Sequence, residues 1–192
     1  MNKTLSILIL LLNFSCGKQN YKTIDFGKFE ITVPENWNKY ERKGIDSYVG
    51  GIITDKNDTL NFDFGRYSAD ISRSDFPMVY DSIGLAELTK KERELLPETK
   101  HLIVDSLSGD INFKEYLKYQ FEYEKIDCFK AKIITPRNKG CGGTGIYIDS
   151  LNGNRKNYDK VKIGFYGWYL SDKTQSEFIK ALKTLRFEEY CE

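Results

Sequence analysis

Residues 46–65 read DSYVGGIITDKNDTLNFDFG, two strand-forming runs separated by a cluster of turn residues. In the second run Leu60, Phe62 and Phe64 fall on one side and Asn61 and Asp63 on the other, the two-residue period of a strand with one face against a core. Asp55, Lys56, Asn57 and Asp58 supply the turn, so the stretch predicts an antiparallel hairpin in a sheet whose two faces differ. Upstream, Phe29, Ile31 and Val33 alternate with Lys28, Glu30 and Thr32 until Pro34 ends the run. Trp37 is expected to pack at that corner.

Downstream, Phe113, Leu117, Tyr119, Phe121 and Tyr123 oppose Lys114, Lys118, Gln120, Glu122 and Glu124, which predicts a long strand with its charged row in water. A tight turn at Glu124 and Lys125 then leads into a strand over 126–135. Two further strands are expected at 146–148 and around Val161, Ile163 and Phe165. Within AELTKKERELL, Leu85 just ahead of it and Leu88, Leu95 and Leu96 have helical spacing, stopped by Pro97. A second helix over 173–184 opens on Asp172 with Gln175 three residues later and carries the stripe Phe178, Ala181, Leu182 and Leu185. Strand runs with few helices and no strand–helix alternation predict an α+β fold on a mostly antiparallel sheet.

The pattern Phe29-x-Ile31-x-Val33-Pro34-x-x-Trp37, together with Phe178, Leu182, Leu185 and Phe187, resembles the packing motifs of the PsbP-like family. That resemblance implies a three-layer sandwich with helices on both faces of the sheet. Members of that family are mostly accessory, binding or assembly factors, so it also implies a non-enzymatic role.

Across 192 residues, 29 basic side chains balance 28 acidic ones, which lacks the basic footprint of a nucleic-acid binder. A 40% hydrophobic and 14% aromatic content is enough for a folded core. His101 is the one histidine, which removes every mechanism or metal centre that needs two imidazoles. No catalytic residue, cofactor or metal is assigned.

At the N-terminus Lys3 precedes an apolar run over residues 5–12, too short to span a bilayer, followed by Asn13, Phe14, Ser15, Cys16 and Gly17. This resembles a bacterial lipoprotein signal, with Asn13 where an aliphatic residue is usual. It implies cleavage before Cys16, acylation of that cysteine and attachment to the membrane through lipid chains. The expected organisation is a signal peptide over 1–15, a tether over 16–24 and one α+β domain over 25–192. With no aspartate after the cysteine, the resemblance implies an outer-membrane lipoprotein on the periplasmic face, with an envelope protein or a glycan as partner.

Beyond Cys16, an oxidising compartment would leave Cys128, Cys141 and Cys191 as one disulfide and one thiol. Cys128 reads as core filling inside a strand, so Cys141 with Cys191 is the favoured pair among the alternatives. An alternative function is a thiol enzyme using Cys128 or Cys141 with His101. The stretch Gly140-Cys141-Gly142-Gly143-Thr144-Gly145 lacks the ending and the helix of a phosphate loop and reads as a hairpin loop. Asp55, Asn57 and Asp58 read as turn formers, since the glycine and glutamate of a calcium loop are missing. Asp58-Thr59-Leu60, Asp81-Ser82-Ile83, Asp105-Ser106-Leu107 and Asp149-Ser150-Leu151 are similar to an O-glycosylation sequon, though Asp-Ser pairs also suit turns. Finally, Tyr166 and Trp168 lie opposite Ile163 and Phe165 and form a candidate patch for a glycan-binding module, unless that face is covered.

Overall fold

The computed structural model describes residues 20–75, 77–95, 101–104, 112–137, 140, 142–153, 156–187 and 191. The readings placed on residues 1–19, on Leu96 and Pro97, on 105–107 and on Cys141 lie outside the described residues. The strands are β1 (Tyr21–Asp25), β2 (Glu30–Pro34), β3 (Asn38–Arg42), β4 (Tyr48–Ile53), β5 (Thr59–Gly65), β6 (Met78–Tyr80), β7 (His101–Ile103), β8 (Tyr119–Ile126), β9 (Phe129–Pro136), β10 (Gly143–Ile148) and β11 (Lys162–Trp168). The helices are α1 (Ser82–Glu87), α2 (Lys90–Leu95) and α3 (Asp172–Leu182). Seven strands form one antiparallel sheet in the order β3-β4-β5-β11-β10-β9-β8, while β1 pairs with β2 and β6 with β7.

The β4–β5 hairpin forms where the alternation places it. Its turn is tied by Thr54, whose buried hydroxyl accepts the Lys56 and Asp58 N–H groups at 3.2 and 3.0 Å, and Asn57 takes the left-handed conformation such a turn requires. The inner face of the sheet presents Leu60, Phe62, Phe64, Ile146, Ile148, Ile163 and Phe165, all buried. The β1–β2 hairpin and α3 cover that face with Phe29, Ile31, Val33, Phe178 and Leu182. Phe165 meets Phe178 and Phe62 edge to face, with centroids 5.3 and 5.6 Å apart. Helix α3 begins one residue earlier than the capping-box reading placed it, because the Ser171 side chain caps the Thr174 N–H.

The expected sandwich with helices on both faces is corrected here: the chain is mostly β, and the outer face of the main sheet carries no such helical layer among the described residues. Helix α1 buries no side chain, so it has no apolar stripe to lay on a sheet. An extended segment, residues 66–75 with a 3-10 turn at Ile71–Ser74, crosses the outer face instead. The single helix expected around AELTKKERELL is two, broken where Thr89 and Glu92 form their own capping box: the Thr89 N–H and hydroxyl donate to the Glu92 carboxylate, and the Glu92 N–H returns to Thr89 Oγ1.

The long alternating strand also differs from its reading. Residues Phe113–Tyr116 form a 3-10 turn, and the hairpin between β8 and β9 turns at Asp127 and Cys128 rather than at Glu124 and Lys125. Asp127 adopts φ 53°, which aspartate tolerates in a two-residue turn. Cys128 is therefore an exposed turn residue and not core filling. Its sulfur is bonded to Cys191, with Cα atoms 5.7 Å apart, which replaces the expected Cys141–Cys191 pairing.

Candidate functional site

Register across the sheet decides what reaches the outer face. One row runs Tyr40, Gly51, Asn61, Tyr166, Gly145, Ile134 and Phe121, and the next runs Arg42, Val49, Asp63, Gly164, Tyr147, Lys132 and Tyr123. Gly51, Gly145 and Gly164 lie beside large rings, and at Gly51 and Gly145 a Cβ would also meet a backbone carbonyl, Leu60 O at 2.0 Å and Phe165 O at 2.2 Å. A Cβ on Gly164 would stand 2.5 Å from Tyr166 Cε2 and 2.6 Å from its hydroxyl oxygen, and one on Gly51 would stand 2.8 Å from Tyr40 Cε1. Tyr166 thereby reaches the crossing segment, where its hydroxyl donates to the Ala69 carbonyl at 2.6 Å. Burial first, and then the nearby Asp70 carboxylate, push the Tyr166 phenol well above its ordinary value.

Beneath the same segment Lys132 Nζ pairs with Asp70 Oδ2 at 2.9 Å and also bonds Ser72 Oγ, with the two charged side chains only 13% and 7% exposed. Asp70 Oδ1 further accepts the Ser72 N–H and hydroxyl at 2.9 and 2.8 Å. Burial pushes the Asp70 carboxyl up, but the hydrogen bonds from Lys132 and Ser72 and the Lys132 charge outweigh it and hold it below the usual carboxylate range. Serine and lysine are in contact here, but the Lys132 amine is engaged by the Asp70 carboxylate as well as by Ser72 Oγ. The arrangement fastens the segment to the sheet.

A polar cleft of about 450 Å³ opens at the N-terminal end of α3. Asn20, Glu35, Asp55, Lys56, Lys173 and Glu177 line it with both signs of charge, over Trp37. The Trp37 ring is 2% exposed at the expected corner, and its Nε1–H donates to Asp55 Oδ1 at 3.3 Å. Thr174 also lines the cleft, and its hydroxyl donates to Asp58 Oδ2 at 3.1 Å.

The outer side of the β8–β9 hairpin is different in kind. Its residues are Tyr119, Phe121, Tyr123 and Lys125 on β8, opposite Pro136, Ile134, Lys132 and Lys130 on β9, while Gln120, Glu122 and Glu124 share the other face. The aromatic row expected in the core thus faces outward: Phe121 is 45% and Tyr123 56% exposed. Lys132 Nζ sits 4.2 Å from the Phe121 centroid and Lys130 Nζ 4.5 Å from that of Tyr123, each ring holding an ammonium over its face.

Of the residues singled out from sequence, Tyr166 and Trp168 do share the outer face, but Tyr166 is half-buried and tied down, leaving Trp168, 45% exposed, beside Tyr169. Tyr169 holds φ 54°, a strained value for an aromatic residue. His101 starts β7 opposite Met78 and meets the Tyr80 ring edge to face at 5.9 Å. Cys128 is committed to the disulfide, which takes its thiol from the thiol-enzyme alternative. Thr59 opens β5, Ser82 lies in the first turn of α1, which Asp81 caps at Gly84 N–H, and Ser150 Oγ donates to the Gly153 carbonyl. Sequence reasoning found the alternation of β8 but assigned its faces the wrong way round, and it did not single out Lys130 or Lys132 at all. The signal available was the sign of charge: once the turn is placed at 127–128, Lys125 follows Tyr123 by two residues, and Lys130 and Lys132 stand directly opposite Lys125 and Tyr123. Compared with protein-family models and with curated proteins, the chain matches neither a family model nor a curated protein.

Proposed function

We propose that the protein is a non-enzymatic lipoprotein of the bacterial outer membrane, anchored through Cys16 on the periplasmic side and acting as a binding or assembly accessory. Its contact surface in this reading is the outer side of the β8–β9 hairpin. The observation that carries it is the outward aromatic row of β8, since soluble domains seldom leave adjacent large rings in water without a use. The disulfide supports an oxidising compartment. The engaged states of Cys128 and Lys132 support a binding rather than a catalytic role.

The test has two arms. Cys16→Ser should release the protein from the membrane fraction or leave the signal uncut, and unchanged retention of a processed chain would overturn the anchor. A photo-crosslinking residue at Tyr123 should give a discrete adduct in cells, whereas the same residue at exposed Glu87 should not; equal behaviour at both sites would overturn the contact surface.

A further inference from the structure

The hairpin segregates charge by face. On its outer side Lys125, Lys130 and Lys132 stand among aromatic rings with no carboxylate in either strand, while Glu122 and Glu124 lie on the other side, where Glu124 pairs with Lys183 at 2.6 Å. Lys132 is neutralised by Asp70. Lys125 and Lys130 are not: they face each other directly across the strands, and neither pairs with a carboxylate among the described residues. Like charges directly opposite in an antiparallel pair are destabilising, with Cβ atoms about 5 Å apart. A bound anion shared between the two ammoniums removes that repulsion.

Position narrows the class of anion. The tether enters at Asn20, which lines the cleft at the N-terminal end of α3, whereas Lys183 at the other end of that helix reaches Glu124 on β8. Helix α3 is 11 residues long, about 16 Å of rise. The lysine pair therefore lies beyond the far end of the helix and on the opposite layer of the domain from the tether, turned away from the membrane that an acylated Cys16 would occupy. The surface is an exposed sheet rather than a pocket, suited to a chain lying across it, and the rings beside the ammoniums offer apolar contact to sugar C–H groups.

We infer that the outer side of the β8–β9 hairpin binds an acidic polysaccharide, with Lys125 and Lys130 clamping a carboxylate or phosphate of the chain and Phe121 and Tyr123 packing on its sugars. This rests on the reading of that surface as the contact face. The test is binding of the purified full-length protein, in neutral detergent, to immobilised polygalacturonate, with neutral dextran and phosphatidylglycerol vesicles alongside. Polygalacturonate should be retained and dextran not, retention should weaken with salt, and the double variant Lys125→Ala/Lys130→Ala should bind about tenfold more weakly. Lys125→Arg/Lys130→Arg should keep binding, and the alanine variant should melt no lower than the parent, because it loses a repulsion. Absence of binding, or equal binding by the alanine variant, would overturn the inference. Binding to the anionic vesicles and not to polygalacturonate would overturn it in favour of a membrane surface. A Tyr123 cross-link that persists through either failure leaves the contact surface standing, so the two proposals fail separately.

Discussion

Asp75 stands where the next strand of the sheet would be: its Oδ2 accepts the Tyr119 N–H at 2.7 Å and its Oδ1 the Lys118 N–H at 2.8 Å. Because Ile126 and Phe129 close the two-residue hairpin, the odd residues of β8 turn their peptide groups away from β9. The carboxylate thus satisfies the first outward amide of an edge strand and blocks further pairing there.

Asp75→Ala is expected to lower unfolding stability by about 1–3 kcal/mol, the cost of leaving amides without their acceptor, with Asp75→Asn recovering part of it. Urea denaturation followed by tryptophan fluorescence measures both, and a loss confined to a few tenths would show that water replaces the carboxylate.

Gly164→Ala places a methyl into the Tyr166 ring, whose hydroxyl is held by Ala69, so the ring is not free to swing aside. The cost should be about 1–3 kcal/mol in the parent and much smaller in a Tyr166→Ala background. A double-mutant cycle reads this directly; additive costs would mean that the backbone, not the ring, demands the glycine.

Cys128 and Cys191 close a loop with a sequence separation of 63, for which chain entropy assigns about 4 kcal/mol to the bond. Cys128→Ser should therefore lower stability severely and, in non-reducing peptide mapping, abolish a Cys128–Cys191 linked peptide that the parent shows. A parent map linking Cys141 to either partner would contradict the pairing.

The Asp70 carboxyl, held below its ordinary value in the folded protein, contributes stability that is present above the unfolded value of about 3.9 and is lost as pH falls through the folded value. Stability should decline on acidification below about pH 4, with Asp149, lowered by its bonds from Lys160 and Tyr147 against its burial, acting in the same direction. Lys132→Met strands the Asp70 charge and should cost about 3–5 kcal/mol at neutral pH, less as Asp70 is protonated. Denaturation midpoints of parent and variant across pH 3–7, a range set by ordinary carboxylate titration, check the sign.

Much of the inner architecture was legible in the chain. Leu60, Phe62 and Phe64 declared their face because at β5 the main core packs on one side and Asn61 and Asp63 occupy the other, and Phe178, Ala181 and Leu182 did so for α3. At β8 the same logic inverted. Period two reveals two faces without saying which is wet, and at an edge the covering layer has ended, so the aromatic row lay outward while Glu124 found Lys183 beside α3. The crossing segment left no periodic signature, since Asp70, Ser72 and Asp75 work through hydrogen bonds whose partners are far away in sequence. For the disulfide, spacing was silent; Asp127 as a turn former was the hint that Cys128 sits at a hairpin tip.

The seam between β5 and β11 sets when this molecule becomes a protein. Phe62 pairs with Phe165 and Gly65 with Lys162, so the first strands of the sheet wait for the last one. Until residue 168 is available, β3, β4 and β5 form a three-stranded fragment whose open edge is β5 itself, with Phe62 packed on Phe26 and Phe29 but still lacking Phe165. Closing so distant a contact is slow, because its entropy is spent before any packing repays it. The same delay makes the interval before closure the period in which the open β5 edge most invites wrong pairing.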